Sequence, residues 1–130
     1  MQEKISTLCE LIEHSSEANK LLVSNAIEME NGEIAAAQNY LQEAAKLIKV
    51  MIGDVFEEVK EFCEKTDEED DYDFSVLDLS KLLNIVVYNA GALINCFVNN
   101  EPEAVKNVLQ KKLTTSINAV TSLASSILLN

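Results

Sequence analysis

The sequence predicts an all-α fold, an antiparallel up-down-up-down four-helix bundle. Three observations carry that expectation. Apolar residues recur at three- and four-residue steps through most of the chain. Gly and Pro number only three and one, so little interrupts those runs. The 130 residues divide into four long segments whose first and third connections are short, which makes sequence neighbours antiparallel. That length fits a single domain, 1–130, large enough to bury a core without disulfides or metals.

The first helix is expected over 3–30. Ile5, Leu8, Ile12, Leu22, Ala26 and Met29 form its inward stripe. Ser15 and Asn19 fall on the same stripe as a polar waist, which can fix helix register at some cost in stability. Asn31-Gly32 ends it, because Gly accepts the left-handed cap conformation.

The second helix starts near Glu33 and extends to about Lys65, with Ile34, Ala37, Leu41, Ala44, Ile48, Met51 and Val55 inward, continued by Val59 and Phe62. The spacing slips after Met51, beside Gly53, so a kink is expected there. The alternative is a break into two helices, with Asp54 and Glu57 as a capping box.

Thr66 to Phe74 reads TDEEDDYDF, whose six carboxylates repel one another and mark an acidic loop over 66–75. Ser75 and Asp78 have the spacing of a capping box that opens the third helix, over about 76–98. Its apolar set (Leu79, Leu82, Leu83, Val86, Val87, Ala90, Leu93, Ile94 and Phe97) covers a face wide enough for contact on more than one side. Ala90-Gly91-Ala92 makes a notch where another helix can approach. After the turn at Asn99-Asn100-Glu101, Pro102 suits the start of the fourth helix, which runs to about Leu128 with Val105, Leu109, Leu113, Val120, Leu123 and Ile127 inward.

Charge is sorted along the chain. Residues 1–78 hold 20 of the 22 acidic side chains, whereas Leu82–Asn100 and Leu113–Asn130 hold no charge at all. The net charge of −12 and the absence of Arg argue against nucleic acid, which needs clustered cations, and against anionic membrane surfaces. The longest uncharged run is short for a bilayer span and contains Asn84, Asn89 and Asn95. Cys9, Cys63 and Cys96 are an odd, unpaired set, and the N-terminus lacks a basic region followed by an apolar stretch, so a cytoplasmic protein is expected.

No residue pattern here names a reaction. His14 is the lone histidine, which excludes a di-iron bundle built on two ExxH motifs, and no close Cys/His pairs exist for zinc. Neither a phosphate-binding glycine loop nor a GxSxG elbow is present. Asp67, Glu69, Asp71, Asp73 and Asp78 echo the spacing of a calcium loop. Tyr72 stands where that loop needs Gly, however, and Asp78 where it needs a bidentate Glu. The chain is therefore read as non-catalytic, with no metal and no cofactor.

What remains is binding to protein. A solvated helix face normally carries Lys and Glu, and interface cores are depleted in charge. The expected contact surface is the uncharged outer face of the third and fourth helices: Asn84, Tyr88, Gly91 and Asn95, with Thr114, Thr115, Ser122 and Ser125. It receives a partner helix in a groove or pairs with itself. The long helices, the Ala/Ser/Thr-rich fourth helix and the lack of catalytic groups resemble bundles of the talin and vinculin group of cytoskeletal adaptors, which implies recognition of partner helices. The same texture resembles helical export chaperones of bacteria, which implies a second function. A third is a regulatory role through 66–78, responsive to cations or, at Thr66-Asp67-Glu68-Glu69, to an acid-directed kinase.

Overall fold

The computed structural model describes residues 2–55, 57 and 74–129. Four helices form there: α1 (Gln2–Glu30), α2 (Ile34–Val50), α3 (Phe74–Val98) and α4 (Glu103–Leu129). They pack as the expected helical bundle, with α1 against α2 and α4, and α3 against α4. Among the described residues, α2 and α3 pack less closely on each other than the other neighbouring pairs.

Both short connections close by the same backbone device. Glu33 N–H reaches back to the Glu28 carbonyl (2.9 Å) and Gly32 N–H to that of Met29 (3.1 Å). Glu101 N–H bonds the Cys96 carbonyl (2.9 Å) and Asn100 N–H that of Phe97 (3.3 Å). These paired bonds satisfy carbonyls that a helix end leaves orphaned, and they need one left-handed residue. Gly32 supplies it at φ 77 and Asn100 at φ 52. Glu33 serves twice, because its carbonyl also accepts the first α2 bond, from Ala37 N–H (3.0 Å). The Pro102 carbonyl accepts from Lys106 N–H (3.2 Å), so Pro102 stands just before α4, where its missing N–H costs nothing.

The slip near Gly53 is taken up without a helix start. Met51–Val55 continues α2 as a π-helical turn. Such a turn absorbs an extra residue, and Asp54 lies within it. α3 begins at Phe74, which places Ser75 inside its first turn and not before it. The expected end of the second helix near Lys65, its Val59 and Phe62, Cys63, and Thr66 to Asp73 of the acidic loop lie outside the described residues.

The core runs along the bundle axis. Leu11, Leu22, Leu41, Leu79, Leu83, Leu93, Leu113 and Ile117 are fully enclosed. Several expected core positions are not: Ile5, Ile34, Val87 and Val105 are exposed. For Val105 the cause is periodicity. Leu113, Ile117, Val120, Ala124 and Ile127 fix which face of α4 looks inward, and stepping back along that face arrives at Gln110 and Lys106. Lys106 is buried, with its ammonium 4.8 Å from the centre of the Phe97 ring. Its aliphatic stem covers apolar surface while the cation meets the ring face.

Candidate functional site

Two surfaces of α3 differ sharply. The inward one is the core stripe from Leu79 to Phe97. The outward one reads Asn84, Val87, Tyr88, Gly91, Asn95 and Val98 at three- and four-residue steps, all exposed. Tyr88 is 76% exposed and Val98 65%, far above what a fold leaves on its own core residues. Scattered exposed apolar residues are ordinary, but a stripe of them on a stretch without charge from Leu82 onward is a patch.

On one flank this face opens toward the α2 side. A groove of ≈ 380 Å³ lies there, lined by Ala45, Ile48, Lys49, Ile52 and Gly53 of α2 with Val87, Ala90, Gly91 and Ile94 of α3. Its walls are apolar, Lys49 is its one charged residue, and the π turn bearing Gly53 helps form the α2 wall. The expected notch at Ala90-Gly91-Ala92 is unoccupied: a Cβ placed on Gly91 would meet nothing within 4 Å. On the opposite flank a shallower hollow of ≈ 630 Å³ lies between α3 and α4, bounded by Asp78, Lys81, Leu82, Ala119, Ser122, Leu123 and Ser126.

The α4 members of the expected surface divide. Thr115 and Ser122 are exposed, and Ser122 borders the α3–α4 hollow. Thr114 and Ser125 are half-buried, and the Thr114 hydroxyl is enclosed without a hydrogen-bond partner. Of these four, Thr115 and Ser122 are thus the more open to solvent. Sequence reasoning did not find the α2 wall of the groove; the signal was the recurrence of Ala45, Ile48 and Ile52 toward Gly53.

A polar seam joins α1 to α4. The hydroxyls of Ser15 and Thr121 lie 2.7 Å apart, and Gln110 Nε2 donates to the Leu22 carbonyl (2.9 Å). The antiparallel register these two bonds set brings Asn19 level with Thr114. Of the waist expected at Ser15 and Asn19, Ser15 makes an interhelical bond that helps hold α4 in register on α1, whereas Asn19 Oδ1 is enclosed without a partner. At the α1–α2 end, buried Asn25 donates Nδ2 to the Ala37 carbonyl (2.7 Å), while its Oδ1 has no partner. Asn89 of α3 donates toward the Lys112 carbonyl and Ser116 Oγ of α4 (both 3.4 Å).

Among the described residues, groups that could do chemistry do not converge. His14 donates its Nδ1–H to the Glu10 carbonyl (2.8 Å), a bond within its own helix. Among the described residues no three His, Cys, Asp or Glu side chains gather as metal ligands. Asp78, the described member of the calcium-like spacing, is exposed on α3, whereas Asp67, Glu69, Asp71 and Asp73 lie outside the described residues. Cys9 is exposed, Cys96 buried, and neither is bridged.

By length and composition, Asp78–Val98 of α3 would suffice to cross a bilayer, a test that a bundle's core helix also passes. Here Leu79, Leu83, Val86, Leu93 and Phe97 belong to the shared core of the bundle. Comparison with protein-family models, with curated proteins and with solved structures returns no match.

Proposed function

We propose that this chain is a non-catalytic interaction module, an adaptor-type bundle that binds a helix of another protein molecule on the outer face of α3. The observation that supports it is the exposed Val87, Tyr88 and Val98 on a stretch, Leu82–Asn100, with no charge. Interfaces concentrate aromatic residues in a core stripped of charge. The groove beside Ala90 and Gly91 adds a cleft into which apolar side chains of a docked helix fit. Export-chaperone activity and a switch in 66–78 remain other proposals, and no described feature favours either over the α3 reading.

The test is a photo-reactive amino acid placed at Tyr88, with a control at solvated Glu43. The expected result is a discrete crosslinked species from position 88 and none from position 43. Crosslinking from position 88 no stronger than from the control would reject the α3 face as an interface.

A further inference from the structure

We propose that the seam between α1 and α4 binds one internal water molecule, held between Asn19 and Thr114. The site is separate from the outer face of α3.

Asn19 stands between Ser15 and Leu22 on α1, and Thr114 between Gln110 and Thr121 on α4. The flanking pairs are tied directly, by the Ser15–Thr121 hydroxyl contact (2.7 Å) and by Gln110 Nε2 on the Leu22 carbonyl (2.9 Å). The middle pair is not. Asn19 Oδ1 and Thr114 Oγ1 are both enclosed, and neither reaches a hydrogen-bond partner in the protein. An enclosed polar atom without a partner has given up its bonds to solvent and received nothing in exchange, so such atoms are few in folded chains. Here two of them fall at one level of one seam.

The donors and acceptors select the ligand. An amide oxygen only accepts, whereas a hydroxyl both donates and accepts. In direct contact the Thr114 hydroxyl would serve Asn19, as Ser15 and Thr121 serve each other; no such bond forms. The bridging group must therefore donate to Asn19 Oδ1 and accept from Thr114, and water does both. An anion has no proton to offer Asn19. A hard cation demands about six oxygens, and among the described residues no three His, Cys, Asp or Glu side chains gather. Internal water makes about three bonds, and a helix carbonyl can supply the third through the lone pair that its own helix bond leaves free.

The bridge forms a middle rung between the two direct ones. α1 and α4 are then joined by polar bonds at successive turns from Ser15 to Leu22, and sliding α4 by one turn would break all three rungs.

Oxygen-17 relaxation dispersion of the solvent counts long-lived internal waters and is blind to hydroxyl proton exchange. The parent chain is compared with Asn19→Leu/Thr114→Val, which keeps the shape of both side chains and removes both polar groups. The double variant's dispersion amplitude should fall by the equivalent of one water. Urea unfolding adds a readout whose sign depends on the bridge. With a shared water, Thr114→Val strands Asn19, so its midpoint should drop. Adding Asn19→Leu should return the midpoint to the parent's or raise it above, because replacing both partners by apolar groups of like shape is near neutral or stabilising. With no bridge, Thr114→Val removes only an unpaired hydroxyl and raises the midpoint by itself. An unchanged dispersion amplitude in the folded double variant, or a Thr114→Val midpoint at or above the parent's, overturns the proposal.

Discussion

Leu22→Ala is expected to destabilise the bundle by about 2–5 kcal/mol, because it empties a fully enclosed site that neighbouring side chains can only partly refill. Leu22 lies at a place where the helices are also tied by hydrogen bonding, since its carbonyl accepts Gln110 of α4. Relaxation of the backbone into the cavity would strain that bond, which places the expected cost toward the upper part of the range. Against a total stability of about 5–15 kcal/mol for a domain, this is a large fraction. Val87→Ala gives the contrast. Val87 is half open to solvent in the lone chain, so its truncation should cost the monomer less than about 0.5 kcal/mol. Urea unfolding of the two variants at micromolar concentration measures both. Equal shifts in midpoint would contradict the assignment of inward and outward faces.

Asn25→Asp carries the second large effect, and it is pH-dependent. The amide is fully buried and its Nδ2 donates to the Ala37 carbonyl. A carboxylate of the same shape would lose that donor and aim negative charge at the Ala37 carbonyl oxygen. An uncompensated buried charge costs about 3–5 kcal/mol, so the variant should be weakened by that order at pH 7. The sign with pH follows from burial. The new carboxyl would titrate above its unfolded value of about 3.9. Between the two values the folded state holds the proton and the unfolded state does not. The variant's stability therefore falls as pH rises through that window and levels off above it. Below about pH 4 both states are protonated, the acid can donate to Ala37 as the amide did, and most of the penalty vanishes. A difference from the parent chain that is the same at pH 4 and pH 7 would show that position 25 is reached by water.

The bundle was legible in the sequence because the three- and four-residue recurrence of Leu, Ile, Val and Ala is long and rarely interrupted. The turns were legible at Gly32, and in part at Asn100, whose left-handed φ is a role Asn takes less often than Gly. Helix faces were less legible. On α4, Lys106 and Gln110 look like solvent residues and Val105 like core, yet the helical period set by five residues further on reverses them. Composition cannot report that a lysine stem will lie over Phe97. On α3, Val87 read as core because the apolar arc is wide; in the structure it is exposed and lines a groove with Ala45, Ile48 and Ile52 of the α2 side. That opening depends on which helices neighbour one another and how closely, and no single helix encodes it.

The proposed function requires that protein cover the outer face of α3. Hydroxyl-radical footprinting of two tyrosines inside the host cell tests it most directly. In the isolated chain Tyr88 is 76% exposed and Tyr40 38%, so dilute purified protein should oxidise faster at Tyr88. Inside the cell the order should invert, with Tyr88 shielded and Tyr40 unchanged. If Tyr88 stays the faster of the two there, the face is bare and the account is contradicted.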